Sequence, residues 1–358
     1  MFWKPLLSAF SGLVVSICTA QQPTWHFAVS GDSRNCGDVV MPAIAKGAAA
    51  NQAAFYWHLG DYRAIYIFDQ DYQAEYKPND PATPPMITSY LAGSWQDFIQ
   101  NQLAPFGNTP VFLALGNHEL IPPKTRDQAL LQFADWFNAL PVQEQRIRDN
   151  PQDHTVKAYY HWFKDGIDFI TLDNASADQF DDQQMKWIQA VLNRDEASDS
   201  VRALVVGMHE ALPESISKDH SMNQSLIGVQ SGRQVYSWLL DFKQHSRKPV
   251  YVLASHSHYF MDGIFNTDYW RTHGGVLPGW IVGTAGAERY ALPANASQAK
   301  TAKTRVYGYL LATVSSSKDD PVTFDFEELK ETDVPLDVVA RFTPDAVHAC
   351  WIANPPVQ

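Results

Sequence analysis

The chain has 358 residues, 45% of them hydrophobic and 18% charged, with a net charge of −12. This apolar content excludes a chain disordered throughout, and a chain of this length can bury a full core without staples. The acidic balance argues against nucleic acid as the main partner, because a phosphate backbone rewards Lys and Arg.

The first segment in chain order is an address. Residues Met1 to Ala20 carry one charge, Lys4, then an apolar stretch from Pro5 to Cys18 that ends in Cys18-Thr19-Ala20. The pattern reads as a secretory signal peptide cleaved after Ala20, with a short membrane anchor as one other reading and a lipoprotein at Cys18, disfavoured by Ile17, as a weaker one. Beyond it there is no apolar run of about eighteen residues, so no membrane association is expected after cleavage. The mature protein is expected to be secreted or periplasmic, with residues 21–358 forming one domain and a C-terminal tail. Two cysteines then remain, Cys36 and Cys350. In an oxidising compartment they read as a disulfide tying the first loop to the tail, or else as two buried free thiols. Asn174-Ala175-Ser176, Asn223-Gln224-Ser225 and Asn295-Ala296-Ser297 fit the glycosylation pattern.

Strands and helices then alternate. His26 to Ser30 reads as a strand, Ala43 to Ala54 as a helix, and Phe55 to Leu59 as a second strand. Asp69 to Pro85 is polar, holds four prolines and reads as a long surface loop. Ser89 to Leu103 reads as a helix, Pro110 to Leu115 as a strand, and Thr125 to Leu140 as an amphipathic helix. Tyr159 to Phe163 and Ile167 to Leu172 form a hairpin through Lys164-Asp165-Gly166. A helix from Asp178 to Arg194 follows, then a strand at Ala203 to Gly207. Glu214 to Gly232 reads as an insert, Arg233 to His245 as a helix and Val250 to Ala254 as a strand. Trp280 to Thr284, Val306 to Val314 and Val322 to Glu327 are the remaining strands. The class is α/β.

The chemistry-bearing residues follow strands. Five apolar runs are each succeeded at once by a metal-ligand type: Asp32, Asp61, Asn117 with His118, His209, and His256 with His258. In open α/β sheets, loops at the carboxyl ends of strands converge, so residues far apart in sequence can meet there. Successive candidates lie 29, 56, 92 and 47 residues apart, which no short-range finger can use. Two carboxylates, an amide oxygen and three imidazoles suit Zn, Mn, Fe or Co, and are too nitrogen-rich for a Ca or Mg cage. A bridging carboxylate can hold two cations, which together lower the pKa of a shared water and neutralise a phosphate ester.

Gly31-Asp32, Gly60-Asp61, Gly116-Asn117-His118-Glu119, Gly207-Met208-His209 and His256-Ser257-His258 resemble, in order, the motifs of calcineurin-like metallophosphoesterases, which include the purple acid phosphatases. The resemblance runs from about residue 25 to 314, and Gly-Asn-His-Glu is its most specific part. It implies a four-layer α/β/β/α sandwich of two mixed sheets with helices outside. It implies two divalent or trivalent metal ions, Fe, Zn or Mn, and a phosphate mono- or diester substrate attacked by a metal-bound hydroxide. Asp32 and His258 would hold the first ion, Asp61 would bridge, and Asn117, His209 and His256 would complete the second. His118 would face the substrate, with Glu119 or another acid orienting it.

The chain departs from the pattern in places. Many members have Asp-x-His in the first motif, where this chain has Arg34. The tyrosine that purple acid phosphatases place three residues after the second aspartate is Ala64 here, so their purple colour is not expected. Among the matched residues the first ion is left with Asp32, Asp61 and His258, completed by water, Asn35 or Asp38, or else bound weakly. Ser255 stands where the family usually has glycine, which would alter that turn. Arg34, assigned to the catalytic set with His118, either pairs with a nearby acid or clamps a phosphate oxygen. His26, His58, His154, His161, His220, His245 and His348 read as ordinary polar histidines. A non-catalytic relative that binds metal or phosphate is the alternative to the enzyme.

Overall fold

Apart from Met1, the computed structural model describes residues 24–63, 93–120 and 124–352. The remainder of the signal-like segment, Ala64 and the Pro-rich stretch Asp69 to Pro85 lie outside the described residues. In chain order the strands are β1 (Trp25–Ser30), β2 (Ala53–His58), β3 (Val111–Leu113), β4 (Tyr160–Lys164), β5 (Ile167–Thr171) and β6 (Ala203–Gly207). They continue with β7 (Val250–Ala254), β8 (Phe260–Asp262), β9 (Gly279–Val282), β10 (Thr301–Lys303), β11 (Tyr307–Val314) and β12 (Val322–Leu329).

Among the described residues these strands form two sheets, ordered β12-β11-β1-β2-β3 and β10-β8-β9-β7-β6-β5-β4. Both are mixed. β1, β2 and β3 run parallel, as do β5, β6, β7 and β9, and the outer strands pair antiparallel. Alternation along β2 explains how the sheets stack. Phe55 and Trp57 face the other sheet, while Tyr56 and His58 face outward. Between the sheets lies an aromatic layer. Phe55 meets Phe169 edge-on at 5.1 Å, and Phe112 stacks on Trp162 at 4.0 Å. The helix Gly37–Ala50 covers the first sheet with Val40, Met41 and Ile44. The helices Asp182–Ala197 and Leu226–Ser246 cover the second with Ile188, Val191, Leu239 and others. The expected four layers are therefore present. Among the described residues no helix is long and apolar enough to cross a membrane.

Several element limits differ from the sequence expectation. The first helix starts six residues earlier and ends at Ala50, where Gln52 adopts φ 54° and turns the chain into β2. The amphipathic run Thr125 to Leu140 is broken into Arg126–Gln132 and Ala134–Phe137, because Phe133 turns into the aromatic cluster of Tyr62 and Phe98. The helix expected from Arg233 begins at Leu226, capped by the Ser225 hydroxyl, which accepts from the Gly228 N–H at 2.9 Å. Its first turn was hidden because Leu226 and Ile227 are exposed. The expected tail is two helices, Leu336–Phe342 and Pro344–Ile352. They are held by the Cys36–Cys350 disulfide and by Arg289, whose guanidinium donates to the Cys350 and Trp351 carbonyls. Asn174 is buried with its amide on the Glu210 backbone, so it is not accessible as a glycan acceptor.

Candidate metal centre

The carboxyl ends of β1, β2 and β3 from one sheet meet those of β6 and β7 from the other. Asp32, Asp61, Asn117, His118, His209, His256 and His258 all lie in the turns that follow these strands. Asp32 and Asp61 adopt φ 59° and His256 adopts φ 64°, a left-handed conformation that non-glycine residues rarely take. Such strain clusters where side chains must be aimed, and here it turns three donor groups back toward one point. Close approach accounts for Gly116: a Cβ there would lie 2.2 Å from Asp61 Oδ1.

One group of atoms is especially tight. His209 Nε2 lies 3.0 Å from Asn117 Oδ1, 3.0 Å from His256 Nδ1 and 3.3 Å from Asp61 Oδ1. Its other nitrogen, Nδ1, donates to the Leu59 carbonyl at 2.9 Å, so Nε2 presents a lone pair. The Asn117 and Asp61 oxygens are acceptors too, and His256 can supply at most one proton among them. Acceptors packed against acceptors in a buried site lack a positive charge between them. A second group shares Asp61. His258 Nδ1 donates to the Glu288 carbonyl at 2.6 Å, leaving Nε2 3.4 Å from Asp32 Oδ1. Asp32 Oδ1 and Asp61 Oδ2 are buried without a hydrogen bond. In each group, Asp61–His209–His256 and Asp32–Asp61–His258, the ligand atoms lie within 4.8 Å of one another. This donor set fits a transition metal, and Asp61 stands where both groups meet.

Electrostatics agree with this. Burial pushes Asp32 and Asp61 up, but the nearby histidines outweigh it and hold both carboxyls below their ordinary range. Burial depresses His256 to about 3 and His118 to about 4, against the pull of the carboxylates. The carboxylates are thus ionised and these imidazoles neutral near pH 7, the forms that ligate metal.

Other residues frame the centre. Arg34 is buried, with Nη1 3.3 Å from His118 Nδ1, Nη2 3.4 Å from His258 Nε2 and Nε 3.8 Å from Asp61 Oδ2. His118 is anchored by its own N–H, which donates to Asp61 Oδ1 at 3.0 Å. Glu119 does not orient His118 as expected. Its carboxylate instead accepts the N–H groups of Asp61, Tyr62 and Gly116 at 2.8–2.9 Å, clamping two of the ligand-bearing turns together. Ser255 leaves its turn unharmed, because the left-handed residue is His256, and its hydroxyl donates to Asp32 Oδ2. Asn35 and Asp38 do not complete the first group. Asn35 Oδ1 accepts from the Glu288 N–H at 2.8 Å, and Asp38 is engaged by Arg63 and Gln102. Tyr62 points away, donating to the Ala114 carbonyl at 2.6 Å.

Sequence reasoning missed two residues. His220, read as an ordinary histidine, sits edge-on to His256 at 5.3 Å and stacks on Tyr290 at 5.0 Å. Tyr290 in turn stacks on His258 at 4.0 Å. The position of His220 inside the Glu214 to Gly232 insert was the available signal; nothing local marks Tyr290.

The family model of calcineurin-like phosphoesterases matches residues 26–260, well over half of the chain. The chain belongs to that family. Among solved structures it is similar to a purple acid phosphatase, PPD1, from yellow lupin (Lupinus luteus) seeds, at 13% identity and a TM-score of 0.54. That match covers 94% of this chain and 57% of the lupin chain, so this chain spans little more than half of its relative's length. It is similar also to PhoD, at 14% identity and a TM-score of 0.51, covering 93% of this chain and 78% of that one. At these identities the likeness concerns the fold. No curated protein sequence matches the chain.

Proposed function

We propose that this protein is a secreted or periplasmic metal-dependent phosphoesterase that hydrolyses phosphate mono- or diesters, with its site inside one domain spanning residues 21–358. The observation that carries the reading is the convergence of buried and half-buried acceptors from five strand ends, flanked by His118 and Arg34. Asp61, Asn117, His209 and His256 form one candidate ligand group and Asp32, Asp61 and His258 the other, and Fe, Zn or Mn is the metal class. When bound, the metal supplies a water of lowered pKa and neutralises phosphoryl charge.

The chain's own residues do the rest. Arg34 has only donors, so His118 Nδ1 must accept from it, and the hydrogen of His118 then sits on Nε2. That N–H is aimed on the Asp61 side, 3.7 Å from Oδ2, where it can donate to a phosphoryl or leaving oxygen. The Arg34 guanidinium offers further N–H groups to the same charge. Asp61 holds His118 through the backbone, and Glu119 holds Asp61, so the donor and the ligands move as one unit.

The test is hydrolysis of p-nitrophenyl phosphate and bis-p-nitrophenyl phosphate by the chelated protein, reloaded separately with Mn, Zn, Fe or Co. Metal-dependent turnover is expected, falling roughly 10²–10³-fold in His118→Ala. The preferred ester names the subclass. Bound metal with no turnover on either ester would replace this reading with that of a non-catalytic binding relative.

A further inference from the structure

The two ligand groups that share Asp61 are unequal. The Asp61–Asn117–His209–His256 group places four acceptors around one point, three of them within 3.3 Å of His209 Nε2. In the Asp32–Asp61–His258 group, a guanidinium is already present. Arg34 Nη2 is directed at the lone pair of His258 Nε2, the lone pair an ion would need. Its Nε faces Asp61 Oδ2, which with Asp32 Oδ1 is one of this group's two carboxylate oxygens buried without a hydrogen bond. Arg34 cannot ligate, having five donors and no acceptor, and it cannot shed its charge. A cation in this group therefore competes with Arg34 for the same donor atoms and is repelled by it. The residues that stood nearest to supply a further ligand, Asn35, Asp38 and Tyr62, are all turned to other partners.

We propose that this centre holds one metal ion, in the Asp61–Asn117–His209–His256 group, and that the Arg34 guanidinium takes the place of the second ion as a fixed positive charge. The inference rests on the metal-dependent reading of the site given above. It means that Arg34 neutralises the buried Asp32–Asp61 pair and presents charge to the phosphoryl group, and that His258 serves as an acceptor for Arg34. The chain thereby exchanges an exchangeable cation for a covalently attached one.

The experiment counts ions and does not depend on turnover. Chelated full-length protein is loaded with Mn or Zn alone, and metal per chain is measured by elemental analysis and native mass spectrometry. One ion is expected for the wild type and two for Arg34→His, which replaces the guanidinium by a group able to ligate and gives the first motif the form Asp-x-His. His256→Ala is expected to lose the single ion and His258→Ala to keep it, and these two variants locate the ion even if Arg34→His fails to fold. Two ions in the wild type would overturn the inference while leaving the phosphoesterase reading standing. One ion in a folded Arg34→His, or an ion lost in His258→Ala and kept in His256→Ala, would also overturn it. No bound ion in the wild type with any of the metals would remove the metal-dependent reading itself.

Discussion

Two buried histidine clusters in this protein behave in opposite ways. At the edge of the seven-stranded sheet, His161 Nδ1 lies 2.8 Å from Asp168 Oδ2 and Nε2 lies 2.6 Å from Asp149 Oδ2. Arg194 joins the same carboxylates from the helix Asp182–Ala197. Every imidazole nitrogen there faces an acceptor and can carry a proton, so the cluster supplies its own positive charge. Burial alone would lower the His161 pKa, but Asp168 and Asp149 overcome it and raise it to about 9. In the metal centre His209 and His258 instead donate outward from Nδ1 to backbone carbonyls and turn their Nε2 lone pairs inward. A cavity of about 380 Å³ lies beside the His161 cluster, and none of its lining residues belongs to the metal centre. Cavity size therefore does not mark the chemistry; the direction of the lone pairs does.

Removing a shared acceptor should separate the clusters most sharply. Asp61→Asn takes charge from both ligand groups, and turnover should fall by roughly a thousandfold or more, with metal lost on dialysis. Retention of metal and rate would show that Asp61 is not the meeting point.

The opposite cluster should answer in stability and not in activity. His161→Leu leaves Arg194 as the remaining counter-charge of Asp149 and, at 4.0 Å, of the buried Asp168, and should cost about 3 kcal/mol by urea unfolding near pH 6. The pH dependence sharpens this. His161 binds its proton more tightly folded, at about 9, than unfolded, near 6.5, so its contribution is complete below the lower value. That contribution, about 3 kcal/mol, is lost as pH rises toward 9 and beyond. The wild-type and variant unfolding curves should accordingly converge between pH 6.5 and 9.5. Parallel curves across that range would contradict a charged His161.

The smallest effect belongs to the clamp. Glu119→Gln sets an amide N–H against at least one of three backbone donors and should cost about 1–3 kcal/mol of stability. Metal affinity should weaken roughly 10–100-fold, because the turns that carry Asp61 and Asn117 loosen. Titration of the chelated variant with Mn measures this directly, and an unchanged affinity would make Glu119 a purely structural residue.

The sequence by itself determined the candidate ligands, each directly after an apolar run, and the order in which they come. Apolar runs ending in Gly-Asp, Gly-Asn-His and His-x-His are local patterns, and strand alternation with sharp turns is written within a few residues. The hairpin at Lys164-Asp165-Gly166 and the strands at Ala203 to Gly207 and Val250 to Ala254 were legible for the same reason. Helix limits were less so, since Phe133 takes its place from aromatic partners elsewhere in the chain and the turn at Leu226 is exposed. What only the tertiary structure decided is where side chains in the loops point. Arg34 turns inward between His118 and His258, 84 and 224 residues away, while Asn35 and Asp38 turn out. Cys36 meets Cys350 across 314 residues, and Tyr290 comes to rest on His258. These directions follow from which donors and acceptors remain unmatched once two sheets have stacked, and that balance exists only in the folded chain.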